Sequence, residues 1–344
     1  MTLRVAWIAS AVEGTKSTYC SEVLLPLLEQ HFEILRYVPS GEGSVPYARP
    51  LDALSADARG HCFDRALLQV EDGVAAEPLL ECLSRLPGGV VWIHDTLFSS
   101  RAVRGEDPFP GELRCQARAL LFSCERNLAE YRRRVPSDGT RTAVLPYPVV
   151  MPPPSLQATL PPLLCFCGEP IVESQIHVAL EALSGVRLPY RLKWLIDPSE
   201  RFAAEALLQE FNTPACQLLE CRSPEAWQAV VSEGGLALHL RVSAYGDPGP
   251  YLPISLGAGA TVVVSDYSST AAIPDAVVSK VLPGQPGLRQ LRSIFEHFLG
   301  PTTSEFSRRA AAGRTYAAEL HDARLIASEL GRVLRQPSVG WEQS

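Results

Sequence analysis

Paired cysteines are missing from this sequence. Its nine cysteines (Cys20, Cys62, Cys82, Cys115, Cys124, Cys165, Cys167, Cys216 and Cys221) are odd in number and show no CxxC spacing. That pattern argues for reduced, mostly buried thiols rather than a disulfide framework. The metal-ligating residue types are too dispersed for a zinc site. No apolar run approaches the roughly 18 residues of a membrane-spanning helix. The opening Leu3-Arg4-Val5-Ala6-Trp7-Ile8 reads as a strand rather than a signal peptide. A cytoplasmic protein is the expectation. Basic blocks are lacking too, and with a net charge of −7 nothing suggests a nucleic-acid partner. No GxGxxG or GxxxxGK[ST] follows a strand pattern, which weighs against nicotinamide and P-loop chemistry. A GxSxG elbow is also absent, which weighs against a hydrolase.

What is present is a chain of 344 residues, 46% apolar, long enough for two domains of about 150 residues each. Its most informative stretch is Leu236–Asp266, LALHLRVSAYGDPGPYLPISLGAGATVVVSD. The apolar runs Leu236–Leu240 and Thr261–Val264 have the character of buried parallel strands. Between them lie the turn Gly246-Asp247-Pro248-Gly249-Pro250 and a compact apolar segment ending at Gly259. Strand, turn, helix and strand form a βαβ unit. Its first turn sits at a strand's carboxyl end, where open α/β sheets bind ligands and a helix N-terminus offers free N–H groups to an anion. Many such turns carry Gly and Pro only to reverse the chain.

The same alternation runs along the whole sequence. Strand patterns fall at 4–8, 32–38, 66–70, 90–94, 119–123 and 143–145, and then at 163–167, 190–196, 216–220 and near 277–281. Helical spacing falls between them: at Thr18–Gln30, capped by Ser17 or Thr18, at Pro78–Arg85 and at Cys124–Arg134. It returns at Ser174–Leu183, at Arg201–Phe211, and after Ser223-Pro224. Gly41–Pro50 reads as a loop, and Leu97–Gly111 as a loop or broken helix. The pattern predicts doubly wound parallel sheets. Pro146–Pro162 holds seven prolines and reads as a stiff linker. It divides a domain over 1–150 from one over 163–303. A single helix over about 304–335 follows, ending before Pro337.

Several words of the sequence, in order, resemble the family-4 retaining glycosyltransferases. They are Ser17–Leu28, then Pro87–Asp95 (PGGVVWIHD), Leu240-Arg241, Gly246-Asp247, Gly259, Ser265-Asp266 and Ile273-Pro274-Asp275. The likeness is closest to a bacterial branch whose corresponding words read Leu-Arg, Gly-Glu-x-Ser-Gly, Ser-Asp and Leu-Pro-Asp, and it extends to about residue 320. The resemblance implies the GT-B fold: two facing Rossmann-like domains, with the terminal helix crossing back to brace the first. It further implies transfer of a sugar from a nucleotide-sugar to a glycan, lipid-linked or small-molecule acceptor, retaining and independent of metal. The nucleotide-sugar is a co-substrate, and no cofactor is implied. Association with the membrane surface or with a partner transferase is compatible with this reading.

On that resemblance, Arg241 is suited to the diphosphate, because guanidinium forks match phosphate oxygens. Asp247 stands where the branch has a glutamate that contacts donor sugar hydroxyls, and it is assigned a catalytic role beside His94. Gly14, Gly246, Gly249, Tyr251, Glu169 and Lys193 complete the donor set. Lys193 is the only nearby lysine, and its place inside a strand pattern also suits a structural or rim role. His94 and Asp95 match the family's His-Asp on the acceptor side, where the imidazole would orient a hydroxyl or carry a proton. The sequence also departs from the pattern. Gly246 and Ile254 stand where the family pairs two glutamates, Pro250 and Pro253 lack N–H donors, and no Lys or Arg follows Gly168-Glu169-Pro170. Glu71-Asp72 replaces the branch's Gly-Asn, and Tyr147 replaces a histidine. A homologue that has lost turnover and acts as a binding or partner subunit is therefore the alternative.

Overall fold

In the computed structural model the described residues are 2–12, 15–39, 47–61, 63–71, 86, 89–94, 117–135, 139–153, 162–213, 216–220, 223–242, 249–301 and 304–336. They form two compact units, one of Met1–Pro148 with Ala323–Ser344 and one of Val149–Asp322.

The first unit is built on a seven-stranded parallel sheet. Its strands are β1 (Arg4–Ile8), β2 (Glu33–Val38), β3 (Ala48–Pro50), β4 (Arg65–Val70), β5 (Gly89–Ile93), β6 (Ala117–Phe122) and β7 (Arg141–Val144). They run in the order β3-β2-β1-β4-β5-β6-β7. β4 and β5 are buried almost end to end, as parallel strands covered on both faces are. β3 lies within the segment expected as a loop; Pro50 is tolerated there because β3 is an edge strand. Helices α1 (Lys16–Leu28), α2 (Leu54–His61) and α3 (Glu125–Arg134) belong to this unit. α1 starts earlier than its hydroxyl pattern implied: Thr15 is the cap, its side chain accepting from Thr18 N–H at 3.3 Å. Pro78–Arg85 and Leu97–Gly111 lie outside the described residues.

The second unit carries a six-stranded parallel sheet in the order β10-β9-β8-β11-β12-β13. Its strands are β8 (Leu163–Cys167), β9 (Arg191–Leu195), β10 (Cys216–Leu219), β11 (Leu236–His239), β12 (Thr261–Ser265) and β13 (Ser279–Val281). The helices are α4 (Ile176–Ser184), α5 (Arg201–Glu210), α6 (Pro224–Val231), α7 (Tyr251–Ala258), α8 (Gln285–Leu299) and α9 (Ser304–Leu320). α6 opens as the sequence indicates, with Ser223 Oγ accepting from Ala226 N–H at 3.1 Å and Pro224 in the first turn. α8 was not anticipated: Pro286 occupies the first turn of a helix that buries Leu291, Phe295 and Leu299. Trp194, Phe166, Leu180 and Phe295 centre this unit's core.

The single terminal helix is corrected to two. α9 stops at Leu320, and α10 (Ala323–Arg335) follows. The backbone leaves the helix because Val149 N–H donates to His321 O at 2.7 Å and Val149 bridges Asp322. The chain changes unit at that same place, so α9 packs on α7 while α10 packs on α1 in the first unit. Leu330 and Leu334 of α10 are fully buried there. Arg65 Nε donates to Leu334 O at 3.0 Å, supplying a cation to the helix's last carbonyls.

Candidate substrate-binding edges

Each sheet has one point where strand order reverses, and ligands of open α/β sheets bind outside the strands' carboxyl ends at that point. In the first sheet it falls between β1 and β4, and in the second between β8 and β11.

At the first sheet's reversal, the helix after β1 is α1, and the residue after β4 is Glu71. The Glu71 carboxylate accepts from the backbone N–H groups of Lys16 at 2.9 Å and Ser17 at 3.1 Å, and from the Ser17 hydroxyl. It therefore takes up N–H groups that a helix start leaves without intrahelical partners. Burial raises its pKa, while the bonds from Ser17 and Lys16 pull it back down.

His94 follows β5, the neighbour of β4, and is completely buried. Its ring lies 4.4 Å from that of Trp92 and stacks on Tyr147 at 5.6 Å. The hydrogen-bond chain behind it settles the tautomer. Trp7 Nε1, a donor only, bonds Ser21 Oγ at 2.9 Å, and Ser21 spends its single proton on Ser17 O at 2.7 Å. Ser21 must then accept from Gln69 Nε2 at 3.0 Å. That turns Gln69 Oε1 to His94 Nε2 at 2.6 Å, so Nε2 carries the hydrogen and Nδ1 is a bare acceptor. Nδ1 is buried and has no hydrogen-bond partner among the described residues. Burial holds the imidazole's pKa well below its usual value, with Lys16 a further contribution. At neutral pH this histidine is therefore an uncharged ring whose Nδ1 can accept a hydrogen bond.

At the second sheet's reversal, Gly168 and Glu169 follow β8, and Leu240 and Arg241 follow β11. Glu169 is half-buried and Arg241 exposed. Val242 N–H donates to Glu173 O at 2.6 Å, which ties the segment after β11 to the one after β8. α7 opens beyond the turn with Gly249 at φ 65° and Pro250 as its cap residue. Pro250 and Pro253 remove two donors, and the Ile254 N–H is committed to Pro250 O at 3.1 Å. Below, α7 is fastened to β11 and α6 through Ser255. Trp227 Nε1 donates to Ser255 Oγ at 2.9 Å, and His239 Nε2 lies 2.9 Å from the same oxygen. Burial lowers the His239 pKa to about 3. Gly259 ends α7 at φ 77°, with Gly259 N–H on Leu256 O and Ala260 N–H on Ser255 O, both at 3.0 Å.

The structure thus brings Glu169, Arg241, Gly249 and Tyr251 to one sheet edge or the helix above it, and His94 to the corresponding edge of the other sheet. Lys193 is corrected: it sits mid-strand in β9 and pairs with Glu233. Glu233 precedes β11, so this charge is satisfied toward the amino end of the sheet, away from the ligand edge. Gly14, Asp95, Gly246 and Asp247 lie outside the described residues. Gln69, Ser21, Trp227, His239 and Ser255 escaped sequence reading, because each acts through a partner far away in the chain. Among the described residues, no group of His, Cys, Asp and Glu could hold a metal ion. No helix among them is long and apolar enough to cross a membrane.

No family model matches the chain, and no curated protein does either. Solved structures do. Sucrose-phosphate synthase from Thermosynechococcus elongatus superposes with a TM-score of 0.75 at 15% identity, covering 97% of this chain and 98% of that one. Anabaena HepE, solved in complex with UDP-glucose, gives 0.70 at 13% identity over 96% and 99% of the two chains. WaaG, a glycosyltransferase involved in lipopolysaccharide biosynthesis, gives 0.67 at 15% over 97% and 100%. The fold of this chain is the GT-B fold of two Rossmann-like units.

Proposed function

We propose that this chain is a glycosyltransferase that takes a sugar from a nucleotide-sugar donor and passes it to a glycan, lipid-linked or small-molecule acceptor. The single observation that carries the reading is the exposed Arg241 at the carboxyl end of β11, at the second sheet's reversal point, where Glu169 follows the adjacent strand β8. A guanidinium there suits a departing diphosphate, and stabilising charge as the glycosidic bond breaks is the main task of such a reaction. HepE, of like fold, was solved with UDP-glucose, which supports a nucleotide-sugar as donor.

In this reading Arg241, Gly246, Gly249, Tyr251, Glu169 and Gly14 hold the donor, and Asp247 contacts its sugar. His94 and Asp95 serve the acceptor side. The reaction is retaining and needs neither resident cofactor nor metal, since the Arg241 cation supplies the neutralisation. The enzyme works in the cytoplasm, with association at a membrane surface or with a partner transferase compatible with its task.

The test is the melting of the full chain against a panel of nucleoside diphosphates and nucleotide-sugars. A ligand at a hundredfold its Kd adds about 2.7 kcal/mol of stability. A melting curve that no member of the panel moves would sink the proposal. The second reading, a binding subunit without turnover, is favoured by Pro250, Pro253 and the Lys193–Glu233 pair. Sugar transfer or donor hydrolysis by the purified chain alone would eliminate it.

A further inference from the structure

The first sheet's reversal point is where a fold of this kind has its default anion site: the start of the helix after β1, with N–H groups facing outward. In this chain that place is filled by the chain itself. Glu71 is nearly fully buried, and its carboxylate accepts from Lys16 N–H, Ser17 N–H and the Ser17 hydroxyl at the start of the 13-residue α1. A phosphate arriving there would find these donors taken and a negative charge in its place.

A second feature, at the same level of the next strand, asks for the opposite of an anion. Val70 pairs with Ile93, so Glu71 and His94 each lie one residue beyond that pair. His94 Nδ1 is buried, carries a lone pair rather than a hydrogen, and has no partner among the described residues. A phosphate dianion offers only acceptors, whereas a sugar hydroxyl offers the O–H that Nδ1 can accept. Gln69 and Ser21 hold the ring in that tautomer.

We propose that the carboxyl edge of the first sheet takes an uncharged, hydroxyl-bearing ligand and rejects phosphorylated ones, with Glu71 setting this choice. It rests on the transferase reading only in calling that ligand the acceptor. Gln69 is a positioning residue that keeps His94 able to accept.

The experiment uses the full chain, isotope-labelled, with UDP present in excess. Glucose, galactose, mannose and N-acetylglucosamine are titrated beside their 6-phosphates, with inorganic phosphate as a further probe. The Lys16 and Ser17 amides and the His94 ring report on the first edge. The neutral sugars are expected to shift the His94 ring. Their phosphates should bind no tighter, and phosphate alone should leave Lys16 and Ser17 unmoved. In Glu71→Gln and Glu71→Ser the preference should turn toward the phosphorylated sugars by about tenfold or more, as removal of a juxtaposed like charge implies.

Wild-type protein that binds the phosphates more tightly overturns the proposal. So do variants that fold yet gain no phosphate affinity, or a His94 ring that no neutral sugar moves. If neither variant folds, the wild-type competition between each sugar and its phosphate still decides. A missing response to UDP would instead count against the transferase reading and leave the preference of this edge measurable.

Discussion

Glu71 and His94 stand side by side at the carboxyl edge of the first sheet, joined through backbone: His94 N–H donates to Val70 O at 2.9 Å. One is an anion held by a helix start, the other a neutral ring held by an amide. Both depend on residues from α1, and this dependence gives the first two predictions.

Replacing Gln69 by Leu removes the acceptor of His94 Nε2–H and a donor to Ser21, in a site where all three side chains are buried. A buried polar group left unpaired costs about 1–3 kcal/mol, so urea unfolding should show a loss of that size. Gln69→Glu should keep the acceptor and raise the pKa of His94, because a nearby carboxylate favours the imidazolium. Histidine NMR titration checks this, and an unmoved resonance would contradict the hydrogen-bond chain.

Glu71→Ala leaves the Lys16 and Ser17 N–H groups without that partner at the start of α1. A loss of about 1–3 kcal/mol is expected, read from the urea midpoint. Hydrogen exchange at those two amides should speed up by more than in the second unit.

The pH dependence follows from His94, fully buried, and His239, partly buried; desolvation lowers both pKa values, His239 to about 3. Above the unfolded histidine pKa of about 6.5, neither penalises folding. Below it the unfolded chain binds protons that the folded one refuses, so each unit should lose about 1.4 kcal/mol per pH unit from its own histidine. For His239 the loss should continue down to about pH 3. Glu71 works in the opposite sense, since its folded pKa is raised. Melting from pH 7.5 downward should therefore show a decline beginning near pH 6.5, and His239→Gln should flatten it for the second unit.

Arg241 is exposed, so Arg241→Ala should leave the melting temperature nearly unchanged while weakening nucleoside diphosphate binding. Loss of one charge-assisted contact is expected to be about 1.5–3 kcal/mol by calorimetry. Asp247→Ala should spare the bare diphosphate and weaken the nucleotide-sugar. Equal losses from both substitutions would mean that the turn is structural.

Ser255 is fully buried and serves Trp227 and His239 together. Ser255→Ala should destabilise by about 1–3 kcal/mol through the His239 nitrogen it strands, whereas Trp227 Nε1 keeps Tyr251 O at 2.9 Å. Because it fastens α7, donor affinity should fall as well.

The sequence by itself determined the buried strands, though not the short edge strand β3, because buried parallel strands must be short apolar runs whatever surrounds them. Val262-Val263-Val264 and Val90-Val91-Trp92-Ile93 could be little else. It also determined the hydroxyl-and-proline start at Ser223-Pro224, a signal complete within four residues. Arg241 and Glu169 were legible for the same reason: each follows a recognisable strand, and strand ends define the ligand edge. Only the tertiary structure decided what depends on partners distant in sequence. Nothing near Lys193 announces that Glu233 takes its charge, and nothing near Glu71 announces the start of α1, more than fifty residues earlier. The neutrality of His94 comes from burial between Trp92 and Tyr147 and from the chain Trp7–Ser21–Gln69. The break at His321-Asp322 likewise needs Val149. Local propensity fixes backbone shape within a turn or two, but charge state, tautomer and the change of unit belong to groups that meet only when the sheets have formed.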